Sequence, residues 1–587
     1  MRRFRWLALL AVLAVVAGAC GGGTTATTSA PDTTGAADTT AAAETTVATE
    51  TTGATETTGA TETTATASAA EVRAPDCDYG GKIESVTAPD PLTVVFSMCS
   101  PVPAFQQIIA FTPFGIQPSE HLEATGGAPL DNPIGTGPFS LGAWNRGSDI
   151  VFEANESYWG DPVPYETLVF RWSPESPARV LELQSGNADY VQDLLRADAE
   201  SVATDSNLQV LPTLNPNIFY LGIATNDLEG TPYEPFDNLM VRQALAMGID
   251  RQQIVDNFYL EGSEVASHFT PCAIENGCQG DEWYEFDAAA ARDLLAEAGV
   301  EEGFEATIYF RAEARVYLPE PTAVANELAQ QLSENLGWNV SAQVVESGEF
   351  IETATADVGY PLYMLGWGAD YPHITNFLDF HFGEANPQFG TAHPEIYESL
   401  VEASAISDPA EAAPLYEQAN NAIKELVPMV PIAHATAASA ATASLEGAAS
   451  PNFGAPQFQF MNPGKDTLVF VQAGEPISLY CTDETDGESL NACQQVIEAL
   501  LGYDLEGNVI PKLATGCESN EDGTEWTCTL REGVTFHDGS EFDSGDVITS
   551  FGAGIDAANP LHVGNSGAFE YYSYLWDSLI NPPPAEG

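Results

Sequence analysis

The nine cysteines are the residues of this 587-residue sequence most able to do covalent chemistry. Eight of them fall into four pairs of short separation: Cys77 and Cys99, Cys272 and Cys278, Cys481 and Cys493, Cys517 and Cys528. None has the Cys-x-x-Cys spacing of a zinc knuckle, so no thiolate metal site is expected. In an exported chain an even number points instead to disulfides within those four pairs. Cys517 and Cys528 flank Glu521-Asp522-Gly523, a turn that would set them opposite each other on a hairpin. Other reactive types lack their partners. His537-Asp538 is half of a catalytic pair with no nucleophile attached. Gly135–Gly137 is not followed by Gly-Lys-Ser/Thr, so it is no phosphate loop. A Gly-x-Ser-x-Gly elbow and a His-Glu-x-x-His helix are both absent from the sequence. These residues predict a binding protein, not an enzyme, with no cofactor.

The ninth cysteine sits in a different setting. Arg2, Arg3 and Arg5 precede an apolar run from Trp6 to Val16, then small residues up to Cys20. That order describes a secretory signal, shorter than the roughly 20 residues of a membrane-spanning helix. Val16-Ala17-Gly18-Ala19-Cys20 resembles a bacterial lipobox, which implies acylation of Cys20 and removal of the residues before it. Residues 21–70 are nearly all Thr, Ala, Gly, Ser and Glu, too poor in apolar side chains to offset the entropy of ordering. They read as a stalk holding a folded body away from a membrane. The expected location is the extracellular face of the cell membrane, by lipid anchor, as a monomer. The formal net charge of -67, from 85 acidic against 18 basic residues, excludes nucleic acid as a partner, since phosphate binding needs clustered cations.

From residue 71 onward, strand and helix patterns alternate, predicting a mixed α/β body. Leu92–Met98 and Leu468–Val471 read as strands. Val241, Leu245, Ile249, Ile254, Val255 and Phe258 lie near helical spacing and predict one helix over residues 241–258. Asp287 caps a helix reaching Ala298, with Gly299 as its stop. Pro321 to Leu336, ending at Gly337, repeats the pattern, and a strand over Asn339–Val345 follows.

Several segments together resemble solute-binding protein family 5, the large peptide-binding receptors of ABC importers. They are Asn132-Pro133-Ile134-Gly135-Thr136-Gly137-Pro138-Phe139, Asn155-Glu156-Ser157-Tyr158-Trp159, the run Ala178–Asp189, Val241-Arg242-Gln243-Ala244-Leu245 with Ile249-Asp250-Arg251, and Gly366-Trp367-Gly368-Ala369-Asp370-Tyr371-Pro372. The resemblance implies a periplasmic-binding-protein-like α/β fold of two lobes closing on a ligand. It also implies partners: a short peptide or similar solute, and a membrane permease. An oligosaccharide receptor of the same fold, or a surface sensor or adhesion lipoprotein, is the alternative.

The order of the motifs differs from the family's. The opening strand, the Gly474-Glu475-Pro476 turn and Arg531-Glu532-Gly533-Val534-Thr535-Phe536-His537-Asp538-Gly539 come last here, while Ile83-Glu84-Ser85-Val86, which follows them in the family, begins the body. This reads as a circular permutant, the usual ends joined near Met461–Asp466 and new ends opened between Leu579 and Ile83. A partial second copy is the competing reading. Lobe one then combines residues 71–225 with 437–587, and lobe two is 226–436, with crossings near Tyr220–Asn226 and Pro431–Thr436. Carried over from the family, Asp370 pairs with a ligand's α-ammonium, Gly366 and Gly368 offer backbone, and Trp367 and Tyr371 form walls. The opposite wall comes from the segment after Pro476, with Tyr480 as its candidate.

Overall fold

Two strands buried along their whole length, Asn217–Ile223 and Met429–His434, mark the centre of one sheet, while others such as Asn339–Val345 keep an exposed face. A computed structural model describes residues 71–384, 386 and 388–582. The expectations for Cys20, the signal and the stalk lie outside these residues, as does the tail after residue 582. No helix among the described residues is long and apolar enough to cross a membrane.

The fold is α/β in two lobes built on three large sheets. The seven-stranded sheet of lobe one runs Phe139–Asn145, Asp149–Ala154, Thr167–Trp172, Thr467–Gln472, Tyr190–Val191, Ala437–Thr442, Leu208–Thr213. Its fourth strand comes from the last quarter of the chain. It lies parallel to Thr167–Trp172, pairing Leu468 with Leu168 and Phe470 with Phe170. Leu468 and Phe470 on one face and Val471 on the other are buried, consistent with a strand covered on both faces. The second sheet of lobe one has the same composite origin: Glu71–Arg73, Ile83–Asp90, Thr93–Met98, Glu525–Leu530, Ala514–Ser519. Lobe two holds a six-stranded sheet ordered Glu264–Val265, Met429–His434, Asn217–Ile223, Leu362–Gly368, Glu305–Arg311, Asn339–Val345.

Residues 465–582 are therefore no separate body; three of their strands, Thr467–Gln472, Ala514–Ser519 and Glu525–Leu530, belong to the two sheets of lobe one. The joins also lie where the motif order puts them. Lys82 N–H donates to the Trp576 carbonyl at 2.9 Å, and its ammonium pairs with Asp577 at 3.2 Å, so the chain's last described segment lies beside Ile83. At the other join, Gly464 N–H donates to Asn462 Oδ1 and Gly464 has φ of +66°, an Asx turn that suits glycine. Lys465 then pairs with buried Asp189 at 2.9 Å, and Asp189 also accepts Val469 N–H.

Most local expectations hold. The helices Ala288–Glu297 and Pro321–Leu336 form, capped by Asp287 at one end and by left-handed Gly299 and Gly337 at the others. The strand Asn339–Val345 is as expected. All four expected disulfides are present, with Cα separations from 4.0 to 6.1 Å. The helix expected over residues 241–258 is instead two, Leu239–Gly248 and Arg251–Phe258. Ile249 is extended, and Asp250 caps the second helix by accepting Gln253 N–H. Apolar spacing continues through the break because both helices face one core; a glycine before it and a capping residue after it favour the kink.

The first crossing between lobes also differs. The strand Asn217–Ile223 is wholly buried inside the six-stranded sheet, so the chain leaves lobe one at residues 214–216 instead of near Tyr220–Asn226. The return runs through Ala435 and Thr436, between Met429–His434 and Ala437–Thr442. One side chain ties the two crossings together. Asn217 Nδ2 donates to the Ala435 carbonyl at 2.7 Å, and Asn217 Oδ1 accepts Ala435 N–H at 2.9 Å. Both bonds are buried, so Asn217→Ala strands a backbone donor and acceptor and should cost about 1–3 kcal/mol. Chemical denaturation checks this; an unchanged midpoint would remove Asn217 from the hinge.

Candidate functional site

The strand Leu362–Gly368 ends at the rim of lobe two, and the loop after it turns towards lobe one. Asn376 shapes that loop. Its Oδ1 accepts both Trp367 Nε1–H at 3.0 Å and Asp370 N–H at 2.9 Å, while its Nδ2 donates to Asp370 Oδ2 at 3.1 Å. Asn376 is itself buried, so the carboxylate of Asp370 is held in one orientation. That carboxylate is half-buried, and Asn376 is the one side-chain donor it has among the described residues. No Lys or Arg among the described residues is paired with it. Burial pushes its pKa up to about 6, against the opposing pull of the Asn376 bond.

Lobe one surrounds this group with tyrosines. Burial first, and then the charge of Asp370, raises the pKa of Tyr503, Tyr571 and Tyr574 and so keeps their hydroxyls protonated. Trp367 stacks on Phe380 at 4.4 Å, and Phe380 meets Tyr574 of lobe one edge-on at 5.6 Å. Tyr371 is buried within the apolar cluster of lobe one although it belongs to lobe two, and its hydroxyl contacts Thr375 Oγ1. Farther round the interface, Asp379 of lobe two feels the ammonium of Lys82, while burial pushes its carboxyl up to about 7. On another stretch, a Cβ at Gly523 would lie 2.4 Å from Ser407 Oγ. The lobes thus touch around a carboxylate that has no cationic partner among the described residues.

The two glycines of the loop segment have different reasons to be glycine. A Cβ on Gly366 would lie 2.4 Å from the Ile218 carbonyl and 2.3 Å from the Tyr317 ring, so lobe packing excludes a side chain there. Gly368 is exposed, with open space around it, and its backbone is free to meet a ligand. Tyr480 does not join this group. It is 1% exposed, sits edge-on to Phe569 at 6.2 Å, and its charged neighbour is Asp483, not Asp370. Tyr503, Tyr571, Tyr574 and Asn376 were not singled out from the sequence. The first three come from the other lobe, and a buried Asn has no pattern of its own.

The remaining recognised motifs are scaffolding. His537 Nδ1 accepts Gly135 N–H, so its Nε2–H donates to the Gly137 carbonyl at 3.0 Å, tying two motifs together. Glu498 accepts from Thr136, Tyr158 and Trp159 and pairs with Lys512. Arg179, Arg242 and Arg251 each donate to backbone carbonyls, and burial lowers the pKa of all three. His268 lies with Cys272 and Cys278 inside 4.8 Å, but both sulfurs are bonded to each other and offer no thiolate.

The model for bacterial extracellular solute-binding proteins, family 5 Middle, matches residues 35–389 and 508–570. A di/tripeptide-binding protein 1 of Pseudomonas aeruginosa is 31% identical over 358 residues, 59% of this chain and 65% of the relative. This chain thus spans a little under two thirds of that relative's length. A dipeptide-binding protein of the same species is 30% identical over 384 residues, 63% of this chain and 70% of that one. Among solved structures, HbpA2 from Haemophilus parasuis superposes with a TM-score of 0.59 at 26% identity, covering 65% of this chain and 76% of its own. A dipeptide-binding protein from a Pseudoalteromonas species, in complex with Met-Leu, gives 0.53 at 26%, over 65% and 76%. With its family model matched across both lobes, this chain belongs to the bacterial extracellular solute-binding proteins of family 5.

Proposed function

We propose that the protein is the extracellular receptor of an ABC-type importer, capturing a short peptide between its lobes and presenting it to a membrane permease. One observation supports this most: Asp370 is a desolvated carboxylate without a cationic partner among the described residues, set where the lobes meet and walled by Trp367, Tyr371, Tyr571 and Tyr574. A peptide's α-ammonium supplies the missing charge, and a charge-assisted hydrogen bond away from water is stronger than a neutral one. Gly368 offers backbone to an extended ligand. Matched relatives carry peptide-binding names, which favours a peptide over an oligosaccharide. The chemistry is capture and release, with no bond made or broken. The two lobes are residues 71–213 with 437–582, and 217–434, and their closure is the signal the permease reads.

Thermal-shift measurement against free-amine di- and tripeptides, N-acetylated counterparts and oligosaccharides tests the reading, since a ligand bound only by the folded state raises apparent stability. Free-amine peptides should stabilise and acetylated ones should not. Stabilisation by sugars alone would overturn it. The lipid anchor is part of the same proposal. Mass spectrometry of the protein from its membrane should find diacylglyceryl on Cys20, and Cys20→Ala should release it to the medium. An unmodified terminus elsewhere would end that idea.

A further inference from the structure

The lobes are joined covalently at the hinge, but elsewhere they meet by contact alone, and one such contact has a defined shape. The strands Ala514–Ser519 and Glu525–Leu530 of lobe one form a hairpin whose tip is residues 520–524. Glu521 and Asp522 at that tip are exposed, yet Gly523 beside them is buried. Part of its cover comes from lobe two. A Cβ on Gly523 would lie 2.4 Å from Ser407 Oγ and 3.7 Å from Ser407 Cβ, with Pro101 of lobe one at 3.5 Å. Gly523 also has φ of +69°, where a side chain is disfavoured.

Neither side of this contact is slack. On lobe one, Asn520 Oδ1 accepts Thr524 N–H at 3.0 Å and Glu525 N–H at 3.1 Å. Met98 N–H donates to the Thr524 carbonyl at 2.8 Å, and the Cys517–Cys528 bridge ties the two strands below the tip. On lobe two, Ile406 packs on the lobe's core, and Asp408 caps the helix Pro409–Leu426 by accepting Ala410 N–H at 2.8 Å. Ser407 lies between them, and its Oγ is sealed from water with no hydrogen-bond partner among the described residues. A hydroxyl that gives up water without gaining a partner opposes the state that buries it. Swinging the lobes apart returns it to solvent.

We infer that Gly523 and Ser407 are the seat on which the lobes close, and that this pair sets the balance between open and closed protein, and with it ligand affinity, without touching the ligand. The inference rests on the closing lobes of the receptor reading above, not on the ligand being a peptide. Glycine permits full closure, since only a residue without a side chain lets the hairpin tip come this near. Serine keeps closure reversible, since its stranded hydroxyl weighs against the closed form and favours release. Apparent affinity scales with the fraction of protein in the competent state, so a shift in that balance is read directly in binding.

Fluorescence energy transfer in the full chain, with one dye at exposed Glu123 of lobe one and one at exposed Glu398 of lobe two, reads the balance with no ligand present. Calorimetry and dissociation kinetics with dialanine and trialanine read its effect on binding. Ser407→Ala removes only the stranded hydroxyl. It should shift the empty protein towards the closed distance and bind about threefold to tenfold more tightly, through slower dissociation. Gly523→Asn keeps a residue that tolerates the left-handed turn but drives atoms beyond Cβ into Ser407. It should shift the empty protein open and weaken binding about tenfold or more. Gly533→Asn puts the same residue into another left-handed turn of lobe one, with open space around it, and should change neither reading. A Ser407→Ala protein with no shift towards closure, or a Gly523→Asn protein no more open than Gly533→Asn, would overturn the inference. If Gly523→Asn does not fold, the Ser407→Ala shift alone decides it. If neither peptide binds the parent, the peptide reading fails, while the dye distances in the empty protein still decide this one.

Discussion

A chain ending at Gly464 should not fold. It loses Thr467–Gln472 from the middle of the seven-stranded sheet, leaving the Thr167–Trp172 and Tyr190–Val191 strands without the partner between them. It also loses Glu525–Leu530 and Ala514–Ser519, which exposes the edge of Thr93–Met98. Among the buried side chains removed are Leu468, Phe470, Trp526, Phe551 and Trp576. At about 1.5–3 kcal/mol for each large apolar side chain, these five alone are worth roughly 10 kcal/mol. That is comparable with the whole stability of a domain, about 5–15 kcal/mol. Expression should therefore give aggregate or an unfolded chain without peptide binding.

The complementary variant separates permutation from mere necessity. A chain that starts at Lys465, runs to Pro582, continues through a flexible linker of about ten residues to Glu71 and ends at Gly464 restores the family order. Such a linker spans roughly 17 Å on average, and both ends to be joined pack on the helix Ser544–Ile555, with Val72 beside Gly552 and Ile580 N–H donating to the Ile555 carbonyl. This reordered chain should melt cooperatively near the parent temperature and bind the same peptides within a few-fold. Circular permutation tolerates such changes where the joined ends are exposed and near one another. A reordered chain that fails to fold, beside a truncated one that folds, would leave the partial-second-copy reading in its place.

What the sequence discloses follows the range of the forces involved. Caps and stops act over four or five residues, so Asp287 with Gly299 and Pro321 with Gly337 announce their helices. The disulfides close short loops, 6 to 22 residues apart, and were legible for the same reason. The break at Ile249 was not, because its apolar residues keep a helical rhythm across two helices that share one core. Half of the candidate site was legible through the segment around Asp370. Its other half was hidden because Tyr503, Tyr571 and Tyr574 reach Asp370 from the opposite lobe, more than a hundred residues away along the chain. Tyr480, an aromatic in the expected segment, went to the core because lobe one needed a large ring against Phe569.

Replacing Asp370 with Asn should weaken binding of a free-amine peptide by about 2–5 kcal/mol, the usual result of removing one partner from a desolvated charge pair. In dissociation constants that is about thirtyfold to several thousandfold. Asn keeps the shape and its own side-chain amide can still reach Asn376, so the loop should remain in place and the loss should appear in affinity instead of melting temperature. Acidity gives an independent reading of the same carboxylate. In the empty protein its pKa is raised from an ordinary value near 3.9 to about 6. The folded state therefore holds its proton more tightly than the unfolded one, and this group favours the folded state below about pH 4, an advantage lost as pH rises through about 6. An ammonium ligand requires the opposite, ionised form. Peptide affinity should thus be highest near pH 7, falling as pH drops below about 6, towards tenfold for each further unit until the bound carboxylate itself protonates, and falling again as the peptide's α-ammonium loses its proton at about pH 8. Asp379 and Glu484, each pushed up to about 7 by burial, also titrate nearby. They persist in the Asp370→Asn variant, so the slope that belongs to Asp370 is the part that variant abolishes. Calorimetry from pH 5 to 8 on both proteins measures it. Parallel profiles for parent and variant would return Asp370 to a structural role in the loop and move the ammonium elsewhere in the cleft.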